Sequence, residues 1–141
     1  PRHRQTECPY LSNRTIVMGI QSGDDGVLKR MNRGHTRQQA IEAIRLLREY
    51  GFTAHVDFII GLPGETADDQ DALLTFMEEM VHTYAIRIHM HTFMPLPNIG
   101  WAGRKPALVG LDARKRLKAL TARGVLDGWW ENQIGYYRRN D

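Results

Sequence analysis

The sequence is short of cysteine: Cys8 is the only one in 141 residues. That excludes an internal disulfide and any zinc or iron–sulfur site built from cysteines of this chain alone. A single thiol also fits a reducing, cytoplasmic setting. No apolar run approaches the roughly 20 residues that cross a bilayer, so no membrane partner is expected. No apolar stretch follows the basic residues of PRHRQTECPY, so no signal peptide is visible. The chain does not open on methionine, which predicts a cut or processed product. Nucleotide fingerprints are missing too. GLPGET lacks the Gly-Lys-Ser/Thr of a phosphate-binding loop, and GIQSGDDG does not have dinucleotide-fingerprint spacing.

What is present describes one globular domain. The hydrophobic fraction is 42% and the charged fraction 25%, ordinary values for a folded chain. At this length a domain buries roughly 70% of the surface its unfolded chain exposes. The net charge of +3 is mild but unevenly spread. Glu65, Asp68, Asp69, Asp71, Glu78 and Glu79 make the middle acidic, while Arg104, Lys105, Arg114, Lys115, Arg116, Lys118 and Arg123 make the end basic. That excess does not by itself indicate a nucleic-acid partner.

Hydrophobic patterning predicts alternating strands and helices. TIVMGI, residues 15–20, reads as a buried strand ending at Gln21-Ser22-Gly23. A short helix follows Asp24-Asp25-Gly26 and stops at Asn32-Arg33-Gly34. Thr36 and Gln39 form a capping-box pattern before a helix over 37–50, with Ile41, Ile44 and Leu47 at helical spacing. Residues 53–60, TAHVDFII, read as a second strand, apolar enough to be covered on both faces. Thr66 caps the next helix, whose first turn carries Asp68 and Asp69. A third strand is expected from about Tyr84 to Thr92, then a proline-rich loop, then a helix over about 112–123. The aromatic tail GWWENQIGYYRRND has no clear period. Three strands alternating with helices predict an α/β fold with a parallel sheet and right-handed crossovers.

In such folds ligands sit beyond the carboxyl ends of the strands. Gln21 closes the first strand, and Asp57 lies within the second, before the exit Gly61-Leu62-Pro63-Gly64. A carboxylate on an apolar strand is costly unless satisfied. Asp57 therefore either caps a loop or pairs an arginine, or it accepts ligand hydroxyls. Asp57 and Ile59 share a face by alternation, a combination suited to a nucleoside. His89 and His91 share a face of the third strand, with His55 on the neighbouring strand. They read as structural residues or substrate contacts, with a three-histidine metal site as the less favoured alternative. Arg33 is either a surface arginine or a bidentate fork for a carboxylate.

Three segments together carry a family resemblance: Gly19-Ile20-Gln21-Ser22-Gly23, Leu28 to Thr36 (LKRMNRGHT), and Val56 to Thr66 (VDFIIGLPGET). They resemble the second half of a radical S-adenosylmethionine (SAM) domain, in the subgroup of oxygen-independent coproporphyrinogen oxidases, methylthiotransferases and cobalamin-binding members. His89 to Pro97 (HMHTFMPLP) is similar to a sixth-strand segment of that cobalamin-binding branch. The resemblance implies the C-terminal half of a partial (β/α)6 TIM-like barrel, with parallel strands inside and helices outside. It also implies SAM and a 4Fe–4S cluster that together yield a 5′-deoxyadenosyl radical; members of the cobalamin-binding branch often carry an N-terminal cobalamin domain as well. Carried over by position, Gln21 contacts SAM, Arg33 pairs with its carboxylate, Asp57 binds the ribose hydroxyls, Ile59 packs on adenine, and Gly61 is the glycine of that strand motif. His89 and His91 fall where substrate contacts would lie. The family's CxxxCxxC loop has no counterpart, and Cys8 does not match it. The resemblance thus predicts a half-barrel over 15–126, flanked by an extension or the end of the missing half over 1–14 and a tail over 127–141, inactive without a missing N-terminal half. An open barrel edge would favour self-association.

Two other readings compete. One is a non-catalytic βα module binding nucleic acid through its basic helix and through Trp129, Trp130, Tyr136 and Tyr137, with Arg138 and Arg139. The other is a metal-dependent hydrolase using His55, His89 and His91. Both rank below the SAM reading, so no metal ligand and no nucleic-acid partner is expected.

Overall fold

A computed structural model of the protein describes residues 14–94, 104–128 and 130–132. The elements run β1 (Thr15–Gln21), α1 (Asp25–Arg30), α2 (Arg37–Glu49), β2 (Thr53–Ile60), α3 (Ala67–Tyr84), β3 (Arg87–Thr92), α4 (Leu111–Ala122) and β4 (Leu126–Asp127). All strands are parallel, in one sheet ordered β1-β2-β3-β4. The expected alternation is present, with one strand more than the sequence suggests. A two-residue strand shows no periodicity, so β4 is invisible until β3 is there to pair with it. The expected start of a separate tail at 127 falls inside this strand.

Local signals explain the helix starts. Thr36 and Gln39 close a reciprocal capping box at α2, and Thr66 does the same with Asp69 at α3. Each such cap is worth about 1 kcal/mol. The helix α3 runs through Tyr84, where the third strand was expected to begin, and ends on Ala85 in a left-handed turn (φ +49°). The apolar residues before Arg87 complete a helix end rather than opening a strand.

The sheet has two unlike faces. On one, Val56, Phe58, Ile60, Ile88 and Met90 are fully buried. They share a core with Ile44 of α2, Leu74 and Met77 of α3, and Leu117 and Leu120 of α4. The other face carries Val17, Gly19, His55, Asp57, Ile59, His89 and His91, none of them buried. β2 is therefore covered on one face, not on both as its composition suggested: its burial alternates strictly, because α2, α3 and α4 all pack on the same side. On the helical side Arg116 bonds Glu78 and Asp71 at 2.6 Å each, and the Thr75 hydroxyl at 3.0 Å. The acidic middle and basic end of the sequence meet at this α3–α4 seam.

Candidate functional site

The parallel register sets Gly19 of β1 beside Asp57, Asp57 beside His89, and His89 beside Asp127. Paired positions of a parallel sheet point to the same face. The open face therefore carries one row, Gly19–Asp57–His89–Asp127, crossing all four strands. Ile59 and His91 pair in the row beyond it.

At the β1 end, Gly19 lacks a side chain and two others fill its place. A Cβ there would lie 3.1 Å from Arg33 Nη2 and 3.2 Å from Gln21 Nε2. Arg33 donates from Nη2 to the Gly19 carbonyl at 2.5 Å, from an otherwise exposed position. Gln21 sits at a register irregularity with φ +73°, a conformation costing about 1–2 kcal/mol for a non-glycine residue. Among the described residues its buried Oε1 has no hydrogen-bond partner. A strained residue holding an unsatisfied buried acceptor is the kind of feature that concentrates at binding sites.

Asp57 is half-buried, and among the described residues its carboxylate accepts no hydrogen bond. Ile59 is half-buried on the same face, two residues on. The structure thus brings Gln21, Arg33, Asp57 and Ile59 together along the carboxyl halves of β1 and β2. Gly61 adopts φ +83°; its N–H donates to Glu65 Oε2 at 2.5 Å and its carbonyl accepts from Ala107 N–H at 2.9 Å. A Cβ at Gly61 would lie 3.1 Å from the Ala107 carbonyl, so its visible work is to turn the chain under residues 107–110. Gln70 clamps the same segment, donating to the Leu108 carbonyl and accepting from Gly110 N–H, both at 2.9 Å. Burial pushes the Glu65 carboxyl above its ordinary pKa, against hydrogen bonds from Gly61 and Gln70 that favour its charged form.

The histidines lie together as their spacing implied. The rings of His55 and His89 are 5.9 Å apart and those of His89 and His91 4.5 Å, both edge to face. Burial and the neighbouring His89 hold the His91 imidazole below its ordinary pKa, which favours its neutral form. The three histidines do not form a donor set by themselves. Among the described residues the close groups are His55–His89–Asp127 and Asp57–His89–His91, each completed by a carboxylate. Asp127, which sequence reasoning placed in the tail, accepts from His89 Nδ1 at 2.5 Å. Burial raises its pKa, and the His89 hydrogen bond with the charges of His55 and His89 outweighs this, leaving it lowered.

Gly23 was also missed as a packing residue. A Cβ there would lie 2.5 Å from the Phe76 ring, so only glycine lets the β1 exit lie against α3. That contact borders a cavity of about 360 Å³ lined by Ser22, Leu62, Pro63, Glu65 and Phe76. It touches the open-face set only through Ile59. Of the residues of the expected base-stacking platform only Trp130 is described; it is 3% exposed and belongs to the core. Trp129, Tyr136, Tyr137, Arg138 and Arg139 lie outside the described residues, as do Cys8 and residues 95–97.

Comparisons with known proteins converge on one family. The model of the Radical SAM superfamily matches residues 9–77. An uncharacterized protein of Methanopyrus kandleri is 30% identical over 127 residues, covering 89% of this chain and 24% of that protein. A tRNA-2-methylthio-N(6)-dimethylallyladenosine synthase of Geobacter sulfurreducens is 37% identical over 116 residues, covering 81% of this chain and 25% of that one. The chain thus spans about a quarter of the length of these curated relatives. In fold it is similar to the archaeal Methanocaldococcus infernus Elp3 with an N-terminal deletion, at TM-score 0.52 and 18% identity, over 79% of this chain and 22% of that one. Its four parallel strands and outer helices are those of a partial TIM-like barrel.

Proposed function

Because this chain belongs to the radical SAM superfamily, we propose that it is the SAM-binding half of a radical SAM enzyme, with the cofactor against the open sheet face. The carrying observation is Gln21: a buried acceptor without a partner among the described residues, held at positive φ, next to the Arg33 guanidinium and one strand from Asp57. Leaving such an acceptor unmet costs about 1–3 kcal/mol, which a ligand donor would recover.

In this reading the Gln21 carbonyl receives a donor from SAM, and the unpartnered Asp57 carboxylate accepts the ribose hydroxyls. Ile59 offers the apolar wall for adenine. Arg33 contributes the donors not spent on the Gly19 carbonyl to the cofactor's carboxylate. Gly61 shapes the strand exit. His89 and His91 face the substrate side, where a neutral imidazole can both accept and donate one hydrogen bond. SAM bound against a reduced 4Fe–4S cluster supplies hydrogen-atom abstraction. The cluster does not fit this chain, whose one cysteine cannot ligate it, so its ligands would come from another segment of a longer protein or from another polypeptide. The outer edge of β1, where Val17 is 68% exposed, is where those preceding strands, or a second copy, would add.

The test is SAM binding by the cluster-loaded full-length protein. Gln21→Ala, Arg33→Ala and Asp57→Ala each weaken SAM more than tenfold, with cluster content unchanged. Unaltered SAM affinity in the Gln21 and Asp57 variants overturns the assignment.

A further inference from the structure

Asp127 has no part in the SAM reading, yet it is the most engaged carboxylate of the open face. Its Oδ1 lies 2.5 Å from His89 Nδ1 and 3.6 Å from His55 Nε2. That His55 nitrogen is buried and, among the described residues, has no hydrogen-bond partner. One donor atom from each of His55, His89 and Asp127 lies within 4.8 Å of the other two. The three residues stand on adjacent strands β2, β3 and β4 and point to the same face. Rigid strands hold donors in place better than loops do.

We propose that His55, His89 and Asp127 form a binding site for a divalent first-row transition ion of the zinc or iron type, using two imidazole nitrogens and one carboxylate oxygen. Two nitrogens and an oxygen suit that class rather than calcium or magnesium, which prefer oxygen sets. Ligand bonds of about 2.0–2.2 Å place the donors of a tetrahedral ion about 3.4 Å apart. The His55–Asp127 separation of 3.6 Å already has this spacing. The His89–Asp127 pair must open, as His89 Nδ1 gives up its proton and receives the ion instead. The orphaned His55 nitrogen gains the partner it lacks. The second trio, Asp57–His89–His91, shares His89 and competes for the carboxylate that the ribose would use; the Asp127 trio has no such conflict. Further ligands would approach from the uncovered side of the sheet. They would be oxygen or nitrogen groups of a substrate, one to two strand spacings (about 5–10 Å) from Asp57. The site does not depend on SAM being the cofactor.

Cobalt(II), a coloured stand-in for zinc, tests this on the tag-free chain in a Cys8→Ser background, which removes the one thiol. One equivalent binds, with visible ligand-field bands and a raised melting temperature. Asp127→Asn and His55→Gln each weaken cobalt more than about tenfold, while their far-UV spectra and cooperative melts in the absence of metal stay as in the parent. Asp127→Glu, which keeps the carboxylate, retains binding. No binding by the folded parent at millimolar cobalt overturns the proposal, as does parental affinity in Asp127→Asn. Loss on His91→Gln with Asp127→Asn unaffected also overturns it, by placing the ion in the other trio.

Discussion

The two faces of one sheet follow opposite rules. On the helical face Val56, Phe58, Ile60, Ile88 and Met90 are completely buried among apolar neighbours. On the open face the same strands carry His55, Asp57, His89 and His91, with donor and acceptor atoms left over. The 2.0-residue alternation of β2 thus separates folding from chemistry, one residue to each in turn. Burial decides the first set, and unmet hydrogen-bonding capacity marks the second.

The sharpest way to break this contrast is a pair of neighbouring truncations. Phe58→Ala leaves a cavity against Phe76, whose ring it meets at 6.0 Å, and should cost about 3–5 kcal/mol in urea unfolding. Asp57→Ala, one residue away on the other face, should change stability by less than about 0.5 kcal/mol. Equal losses would mean that the faces are not distinct. A smaller effect of opposite sign is expected at Gln21. Gln21→Gly removes the positive-φ strain and the buried orphan acceptor together. It should gain about 1 kcal/mol of stability and, in the full-length protein, lose SAM affinity, the usual exchange between stability and a strained site.

The smallest effect lies at the exit of β2, where both faces end. Glu65 has its pKa raised above 4.5 by burial. A carboxyl whose folded pKa exceeds its unfolded value binds more protons when folded, so its contribution falls as pH rises from about 4.5 through the folded pKa. Glu65→Gln removes that decline. The melting temperature of the variant minus that of the parent should therefore increase between pH 4.5 and neutrality; a flat difference would place Glu65 in an ordinary aqueous setting.

The sequence made the helical face easy to read, because caps and periodicity are local. Thr36 with Gln39, Thr66, and the stripe of Ile41, Ile44 and Leu47 needed no partner elsewhere in the chain to be recognised. The residues proposed to hold SAM could be picked out only as a combination of three segments, since each segment alone also fits an ordinary turn or strand. The rest depends on distant pairings. Asp127 acquires meaning from His89, 38 residues earlier. Gly23 acquires it from the Phe76 ring, and Trp130 from the core it enters. The coverage of β2 was misjudged because a run of apolar residues does not say on which side helices will pack.

Strand order in this sheet equals chain order, β1 to β4, and this sets a timetable. Ribosomes release the N-terminal strands first, at about 5–20 residues per second. Gly19 and Asp57 are available while later strands are still being made. His89 then waits 38 residues, a delay of about 2–8 s, before its carboxylate emerges. A nascent chain halted in that interval carries every residue assigned here to SAM and lacks the one that would complete the ion's ligands.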